Sequence, residues 1–233
     1  MGLDVNGRWE AVLTLARSLD PDAYLLTGDF CAHDPEGSIY KRLYPQLQSL
    51  GKPFYLVPGN HDDRALMRQH FPSLGGHDKE PIYSLAEIGR HSFIFLDSST
   101  GTIDSTQLDW LQQTLPQAPR ASIVMHHPPV PLGISFMDDK HPLRDTDRLL
   151  DLLTSDGHRR RIFCGHYHNM CTVSHRNLDI FLCPPTSFYI DAKAPDFQLV
   201  NHRPGFNVLE WTDGGDFRCT PYATSAPADE LQN

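Results

Sequence analysis

Four short apolar runs in this chain each stop at a small cluster of glycine, carboxylate, amide or imidazole residues. Residues 23–27 stop at Gly28-Asp29, residues 53–57 at Gly59-Asn60-His61-Asp62, residues 122–125 at His126-His127, and residues 161–164 at Gly165-His166-Tyr167-His168. Helical patterns separate the runs. Trp9, Val12, Leu13, Ala16 and Leu19 recur at helical spacing over residues 9–19, which Pro21 ends, and residues 38–50 fit a second helix closed by Gly51. Residues 104–115 and 143–153 supply two more. Strands and helices alternating in this way make an α/β fold with helices covering a sheet. In such sheets chemistry collects beyond the carboxyl ends of the strands, where glycine permits tight turns and close backbone approach. The four clusters are therefore expected to converge on one point.

The remaining pattern is richer in strands. Residues 82–85 and 92–96 read as adjacent strands separated by a turn at 87–90, and residues 170–174, 179–182 and 206–211 as strands with no helix between them. Two sheets packed face to face, with helices outside, would bury them all. Neither an internal repeat nor a linker is visible, so residues 1–222 are expected to form one domain, with residues 223–233 as a frayed tail.

Taken singly, each cluster has an ordinary explanation. Gly28-Asp29 suits a turn, Asn60 beside glycine suits another, His126-His127 precedes two prolines, and His166 and His168 share one face of an extended segment. Four such coincidences at equivalent positions are hard to accept together. One carboxylate, one amide oxygen and three imidazoles, without a thiolate, suit Fe, Mn, Zn, Co or Ni better than Cu(I), or than Mg and Ca. A carboxylate can also bridge two cations, and a pair about 3.5–4 Å apart is suited to displacement at phosphorus.

Composition narrows the alternatives. The net charge is −9 and the one basic run, Arg159-Arg160-Arg161, leads into an apolar strand, which argues against a nucleic-acid binder. No stretch approaches the roughly 20 apolar residues of a membrane span. The N-terminus shows neither the basic nor the apolar region of a secretory signal, so the expected location is cytoplasmic. Five cysteines without a C-x-x-C pair indicate neither a zinc knuckle nor a redox dithiol. Thirteen histidines point instead to imidazole ligands.

In their order along the chain, Gly28-Asp29, Gly59-Asn60-His61-Asp62, His126-His127-Pro128-Pro129 and Gly165-His166-Tyr167-His168 resemble the signature of the calcineurin-like metallophosphoesterases. From Gly2 to about Trp211 the chain is similar to the bacterial class III cyclic-nucleotide phosphodiesterases and glycerophosphodiesterases. The resemblance implies a four-layer αββα sandwich of two mixed sheets flanked by helices. It implies that Asp29 bridges two metals, that Asn60, His126 and His166 complete the second metal site, and that His168 belongs to the first. His61 would contact the phosphate and stabilise charge or protonate the leaving oxygen, with Asp62 orienting it, while His127 stands beside the ligands rather than among them. The implied activity is hydrolysis of a small phosphodiester, such as cyclic AMP or a glycerophosphodiester, by in-line attack of a metal-generated hydroxide. Residues 131–142 lie next to the site and are candidates for shaping its pocket. Relatives also suggest self-association, so a homo-oligomer is expected, with no nucleic-acid or membrane partner.

One departure stands out. The family opens with Asp-x-His at the end of its first strand, whereas here Met1-Gly2-Leu3 precede Asp4-Val5-Asn6. Asp4 and Asn6 lie too near the first helix to replace that motif, so an upstream segment is expected. Without it the first metal keeps only Asp29 and His168 and is expected to bind weakly, and an open sheet edge invites association. The alternative function is a catalytically impaired metal-binding or scaffold protein. A monoesterase is a further enzymatic alternative, and a nuclease is disfavoured by the acidic balance.

Overall fold

Asp4 caps the first helix, α1 (Val5–Ser18), accepting the Gly7 N–H at 2.9 Å. Val12 and Ala16 bury on its inner face. Two strand–helix units follow, β1 (Tyr24–Leu26) with α2 (Gly37–Gln48), then β2 (Phe54–Leu56) with α3 (Arg64–His70). The two strands pair in parallel, with Tyr24 opposite Phe54 and Leu26 opposite Leu56. Tyr40, Leu43 and Leu47 of α2, Met67 of α3 and Phe71 form a core against Leu56. The computed structural model describes residues 3–225.

The second half builds a six-stranded mixed sheet. Its strands are β3 (Ser84–Ile88), β4 (His91–Leu96), β5 (Ser122–Met125), β6 (Arg160–Cys164), β7 (Thr172–His175) and β8 (Leu178–Leu182), in the order β3-β4-β5-β6-β8-β7. The four inner strands are parallel and the two edge strands antiparallel. Burial on both faces explains why the inner strands read as unbroken apolar runs. Ile94, Leu96, Ile123, Met125, Ile162 and Ile180 face one core, with Leu108 and Leu111 of α4 (Ser105–Thr114) and Leu149 and Leu153 of α6 (Asp147–Thr154). The short helix α5 (Ser135–Lys140) lies between them in the chain, and its Met137 enters the same core. Alternate residues Phe93, Phe95, Val124 and Phe163 face the opposite way, toward Leu25, Tyr55 and Val57. That inner face is shared with Leu209, Trp211 and Phe217 of the hairpin β11 (Gly205–Trp211) and β12 (Phe217–Ala223).

The layers are thus α1–α3, a β layer made of two separate ladders, the six-stranded sheet, and α4–α6. A two-stranded ribbon, β9 (Tyr189–Ile190) with β10 (Leu199–Val200), lies outside this stack in the chain order. The buried Arg8 guanidinium ties its surroundings to α1, donating to the Ser187 and His202 carbonyls at 2.8 and 2.9 Å and to Asn201 Oδ1 at 2.9 Å. No helix among the described residues is long and apolar enough to cross a membrane.

Several boundaries differ from expectation for local reasons. The short helix α3 escapes a periodicity reading, although Asp63 caps it by accepting the Leu66 N–H at 2.8 Å. Helix α6 starts at Asp147 rather than 143, because Asp145 adopts a φ of 56°. Strand β3 runs on to Ile88 before Gly89 turns the chain. The frayed tail expected from residue 223 begins too early. Ala223 pairs with Gly205 in β12, and the Thr224 N–H donates to the Pro204 carbonyl at 3.0 Å. Residues 226–233 of that expected tail lie outside the described residues.

Arg160 is fully buried, and its Nη1 donates to the Leu153 carbonyl and to Asp156 Oδ1, both at 2.7 Å. That pairing holds the Asp156 carboxyl down at about 2. A carboxyl depressed on folding contributes stability above its unfolded value, near pH 4, and loses it as the pH falls toward 2. Asp156→Asn is therefore expected to lower the urea midpoint at pH 7, with the gap from wild type closing between about pH 4 and pH 2. A gap of constant size across that range would disprove the ionic origin.

Candidate metal centre

The parallel pairing of β1 with β2 brings Asp29, which follows β1, beside Asn60, which follows β2. In the larger sheet β5 and β6 are also parallel neighbours, so His126 and the segment from His166 to His168 emerge side by side. The Gly165 N–H donates to the His126 carbonyl at 3.0 Å. Two glycines let the Asp29 and Asn60 loops touch backbone to backbone. A Cβ on Gly59 would lie 2.1 Å from Asp29 Oδ1 and 2.4 Å from the Asp29 nitrogen, and one on Gly28 would lie 2.5 Å from the Gly59 nitrogen. Gly28 also sits at a φ of +93°, where a side chain is strained.

Four donor atoms meet at this junction. His126 Nε2 lies 3.1 Å from Asp29 Oδ2, 3.2 Å from Asn60 Oδ1 and 3.2 Å from His166 Nδ1. The opposite ring nitrogens are committed elsewhere. His126 Nδ1 donates to the Thr27 carbonyl at 2.5 Å, His166 Nε2 to the His141 carbonyl at 3.0 Å, and His168 Nδ1 to the Phe188 carbonyl at 3.0 Å. A carbonyl can only accept, so each bond fixes the N–H on that nitrogen, and at His126 and His166 the other nitrogen turns toward the centre. Bonds of about 2.1 Å to a metal place neighbouring donors roughly 3.0–3.4 Å apart, which matches the spacing here. The donor set fits a divalent first-row ion held by Asp29, Asn60, His126 and His166. His168 keeps its Nε2 uncommitted but stands outside the cluster formed by Asp29, His126 and His166.

Backbone strain falls on three of these residues. Asp29, His166 and His168 have φ values of 58°, 66° and 45°. Left-handed conformations cost of order 1–3 kcal/mol in residues other than glycine and persist where the surroundings over-determine them. The surroundings here are the carbonyl bonds to the imidazoles and the clamp on Asp29 described below.

The electrostatics suit cation binding. Burial opposes charge on Asp29, but the charge and hydrogen bond of His126 outweigh it and hold the carboxyl well below the ordinary range. Burial also opposes charge on His126, yet Asp29 raises that imidazole. Burial, with the charge of His126 behind it, pushes His127 down to about 3 and His166 well below its usual value. Burial likewise lowers His168. A metal takes the neutral imidazole, the form favoured at His166 and His168, whereas His126 would give up its Nε2 proton to an ion.

The structure gives Asp62 a different task from orienting His61. Its half-buried carboxylate makes no hydrogen bond to that ring. Oδ2 accepts the Asp29 and Gly59 N–H groups at 2.8 Å each, while Oδ1 accepts the Phe30 N–H and the Tyr40 hydroxyl at 3.0 Å each. Asp62 therefore clamps the two ligand loops together. Burial pushes its carboxyl up to about 6, against the opposing effect of the Gly59 N–H. Asp62→Asn would turn an amide NH₂ toward one pair of these donors and is expected to cost about 3 kcal/mol in urea unfolding. A loss below about 1 kcal/mol would remove the clamp from the account.

The His61 ring is held instead by the His33 carbonyl, 3.1 Å from Nδ1, and the His61 N–H donates to Asp29 Oδ1 at 2.9 Å. His127 lies outside the donor cluster. Its Nδ1 pairs with Ser98 Oγ at 2.9 Å and its ring packs 4.0 Å from that of His166. Asp4 is occupied as a helix cap and Asn6 lies within α1. The residues missed by sequence reasoning are mainly backbone partners, the carbonyls of Thr27, His33, His141 and Phe188, which leave no trace in residue type. Tyr40, the partner of Asp62, reads in sequence only as an apolar position of α2.

The sequence comparisons agree with this arrangement. The family model of the calcineurin-like phosphoesterases matches residues 4–170. A glycerophosphodiester phosphodiesterase, GpdQ of Enterobacter lignolyticus, is 31% identical over 201 residues, covering 79% of this chain and 70% of its own. A probable cyclic nucleotide phosphodiesterase of Fibrobacter succinogenes is 28% identical over 210 residues, covering 90% of this chain and 82% of the relative. Among solved structures, a dimetal phosphatase from Danio rerio superposes with a TM-score of 0.62 at 13% identity, covering 95% of this chain and 89% of that one, and so shares the fold. With the motifs, the layers and the donor cluster all in place, this chain belongs to the calcineurin-like phosphoesterase family, as a hydrolytic enzyme.

Proposed function

We propose that this metallophosphoesterase hydrolyses small phosphodiesters at the junction of Asp29, Asn60, His126 and His166, with His168 beside them and His61 serving the reacting phosphate. The observation that carries this reading is the shared aim of the imidazoles. His126 and His166 each have the outer nitrogen fixed to a carbonyl, so that the inner nitrogens meet beside the Asp29 carboxylate and the Asn60 amide oxygen. A bound Fe, Mn, Zn or Co ion supplies Lewis acidity toward water and toward phosphoryl oxygens. The chain's own groups supply the rest. Asp29 and Asn60 add oxygen donors, and Asp62 keeps their loops in register. His61, with its Nδ1–H committed to the His33 carbonyl, keeps Nε2 as the nitrogen that, in the imidazolium form, would stabilise charge on phosphate or give its proton to the departing oxygen. A diester is favoured because the two sequence relatives described above carry names of diester hydrolases.

The test is release of p-nitrophenol from bis(p-nitrophenyl) phosphate by the metal-stripped protein with and without manganese, with bound metal measured in parallel. Turnover that manganese restores is the expected result. Metal binding without turnover would leave a metal-binding scaffold.

A further inference from the structure

Asp138 lies in α5, outside the donor cluster, yet its carboxylate gathers bonds from two directions. Oδ1 accepts the Leu132 N–H at 2.9 Å, and Oδ2 accepts the Gly133 and Ile134 N–H groups at 2.7 and 2.9 Å. Gly133 supplies the positive φ of that turn, at 82°. From the other side the Tyr167 hydroxyl donates to the same carboxylate, and burial together with Asp138 raises that phenol above its usual range. Tyr167 is 1% exposed and stands in the chain between His166 and His168.

The segment so fastened ends at the metal centre. The His141 N–H donates to the Met137 carbonyl at 2.9 Å and closes α5. The His141 carbonyl accepts the His166 Nε2 hydrogen at 3.0 Å, which leaves Nδ1 bare, 3.2 Å from His126 Nε2. A backbone carbonyl has no side chain of its own to aim it, so its direction is set by the path of the chain on either side. Ile134 and Met137 anchor that path in the large core. Apolar contacts are non-directional and tolerate sliding, whereas the directed bonds to one carboxylate do not.

We infer that Asp138 is a positioning residue for the metal centre: it fastens residues 131–141 to Tyr167, and so holds the His141 carbonyl where it fixes the tautomer and direction of His166. The inference rests on the reading of His166 as a metal ligand and adds the residue that keeps its Nδ1 ready. A carboxylate that merely supported α5 would change the stability of the fold and leave the His166 ring as it is, which separates the two roles.

Long-range proton–nitrogen NMR of the imidazoles, on metal-free protein, reads the tautomer directly, and calorimetric titration with zinc reads its consequence. Wild-type His166 is expected in the Nε2–H form alone. Asp138→Asn keeps one acceptor oxygen and turns an NH₂ toward N–H groups, so His166 should become a mixture of tautomers and zinc affinity should fall about tenfold or more. Tyr167→Phe keeps the N–H bonds of the turn and removes only the hydroxyl, and the same changes are expected at smaller size. Asp156→Asn is the control, since it weakens the fold before β6, at the end remote from His166, and should leave tautomer and affinity as in wild type. A wild-type His166 protonated at Nδ1, or wild-type tautomer and affinity in both Asp138→Asn and Tyr167→Phe, overturns the assignment. An equal change in Asp156→Asn would do the same, by showing that loss of stability suffices. Should Asp138→Asn not fold, the comparison of Tyr167→Phe with Asp156→Asn decides. Zinc binding absent from wild type sinks the reading of the metal centre alone, since the tautomer is read without metal.

Discussion

His61→Ala is expected to lower kcat on bis(p-nitrophenyl) phosphate by about 10²- to 10⁴-fold, the usual worth of a positioned acid or base, with bound manganese per chain unchanged. The split follows from what His61 does with each of its parts. Its backbone N–H donates to Asp29 Oδ1 at 2.9 Å, and alanine preserves that bond, so the ligand carboxylate stays oriented. Its ring makes no bond to Asp29, Asn60, His126 or His166, and is held at Nδ1 by the His33 carbonyl. Removing the ring therefore takes away charge stabilisation and proton delivery while leaving the donor cluster whole. Parallel titration of metal and of kcat decides the matter. If metal affinity fell in proportion to turnover, His61 would be a structural member of the centre and the catalytic assignment would fail.

A second variant, Gly59→Ala, is expected to lose metal affinity by at least about 100-fold and stability by about 3 kcal/mol or more. The added Cβ would approach Asp29 Oδ1 to 2.1 Å and its nitrogen to 2.4 Å, and neither atom can yield cheaply. Asp29 already sits at a strained φ of 58°, and its N–H is fixed by Asp62. Moving it pulls a ligand away from His126 and breaks the clamp at the same time. Gly75→Ala is the control, since a Cβ there meets nothing within 4 Å. Manganese titration and urea unfolding of the pair should separate sharply. Equal behaviour would mean that the loops have more room than their contact suggests.

Much of this was legible in the residues, and the reasons differ by element. The inner strands showed because burial on both faces writes an unbroken apolar run, and residues 122–125 were read with the bounds of β5. The resemblance named Asp29, Asn60, His126 and His166 as metal ligands, strand-end convergence gave the physical reason, and the structure brings their side-chain atoms together. The two-residue strands β9 and β10 are too short to carry alternation, and Pro221 within β12 disguised that strand. Asp62 illustrates a deeper limit. A carboxylate following a histidine reads as the partner of its ring, whereas its acceptors are spent on N–H groups that every residue owns. The same holds for the carbonyls that fix the imidazoles. Backbone partners are set by loop path, and loop path is not written in residue type.

The four donors do not come from one layer. Asp29 and Asn60 hang from the small parallel pair, and His126 and His166 from the six-stranded sheet, with the inner aromatic core lying between the two. An ion held by all four is consequently a cross-link over that seam, and it binds the folded arrangement but not the unfolded chain. Its free concentration then enters the folding equilibrium directly, adding about 2.7 kcal/mol at a hundred times the dissociation constant. With such an ion bound, resistance to heat or protease would follow metal supply, and a chelator would lower it without altering a single residue.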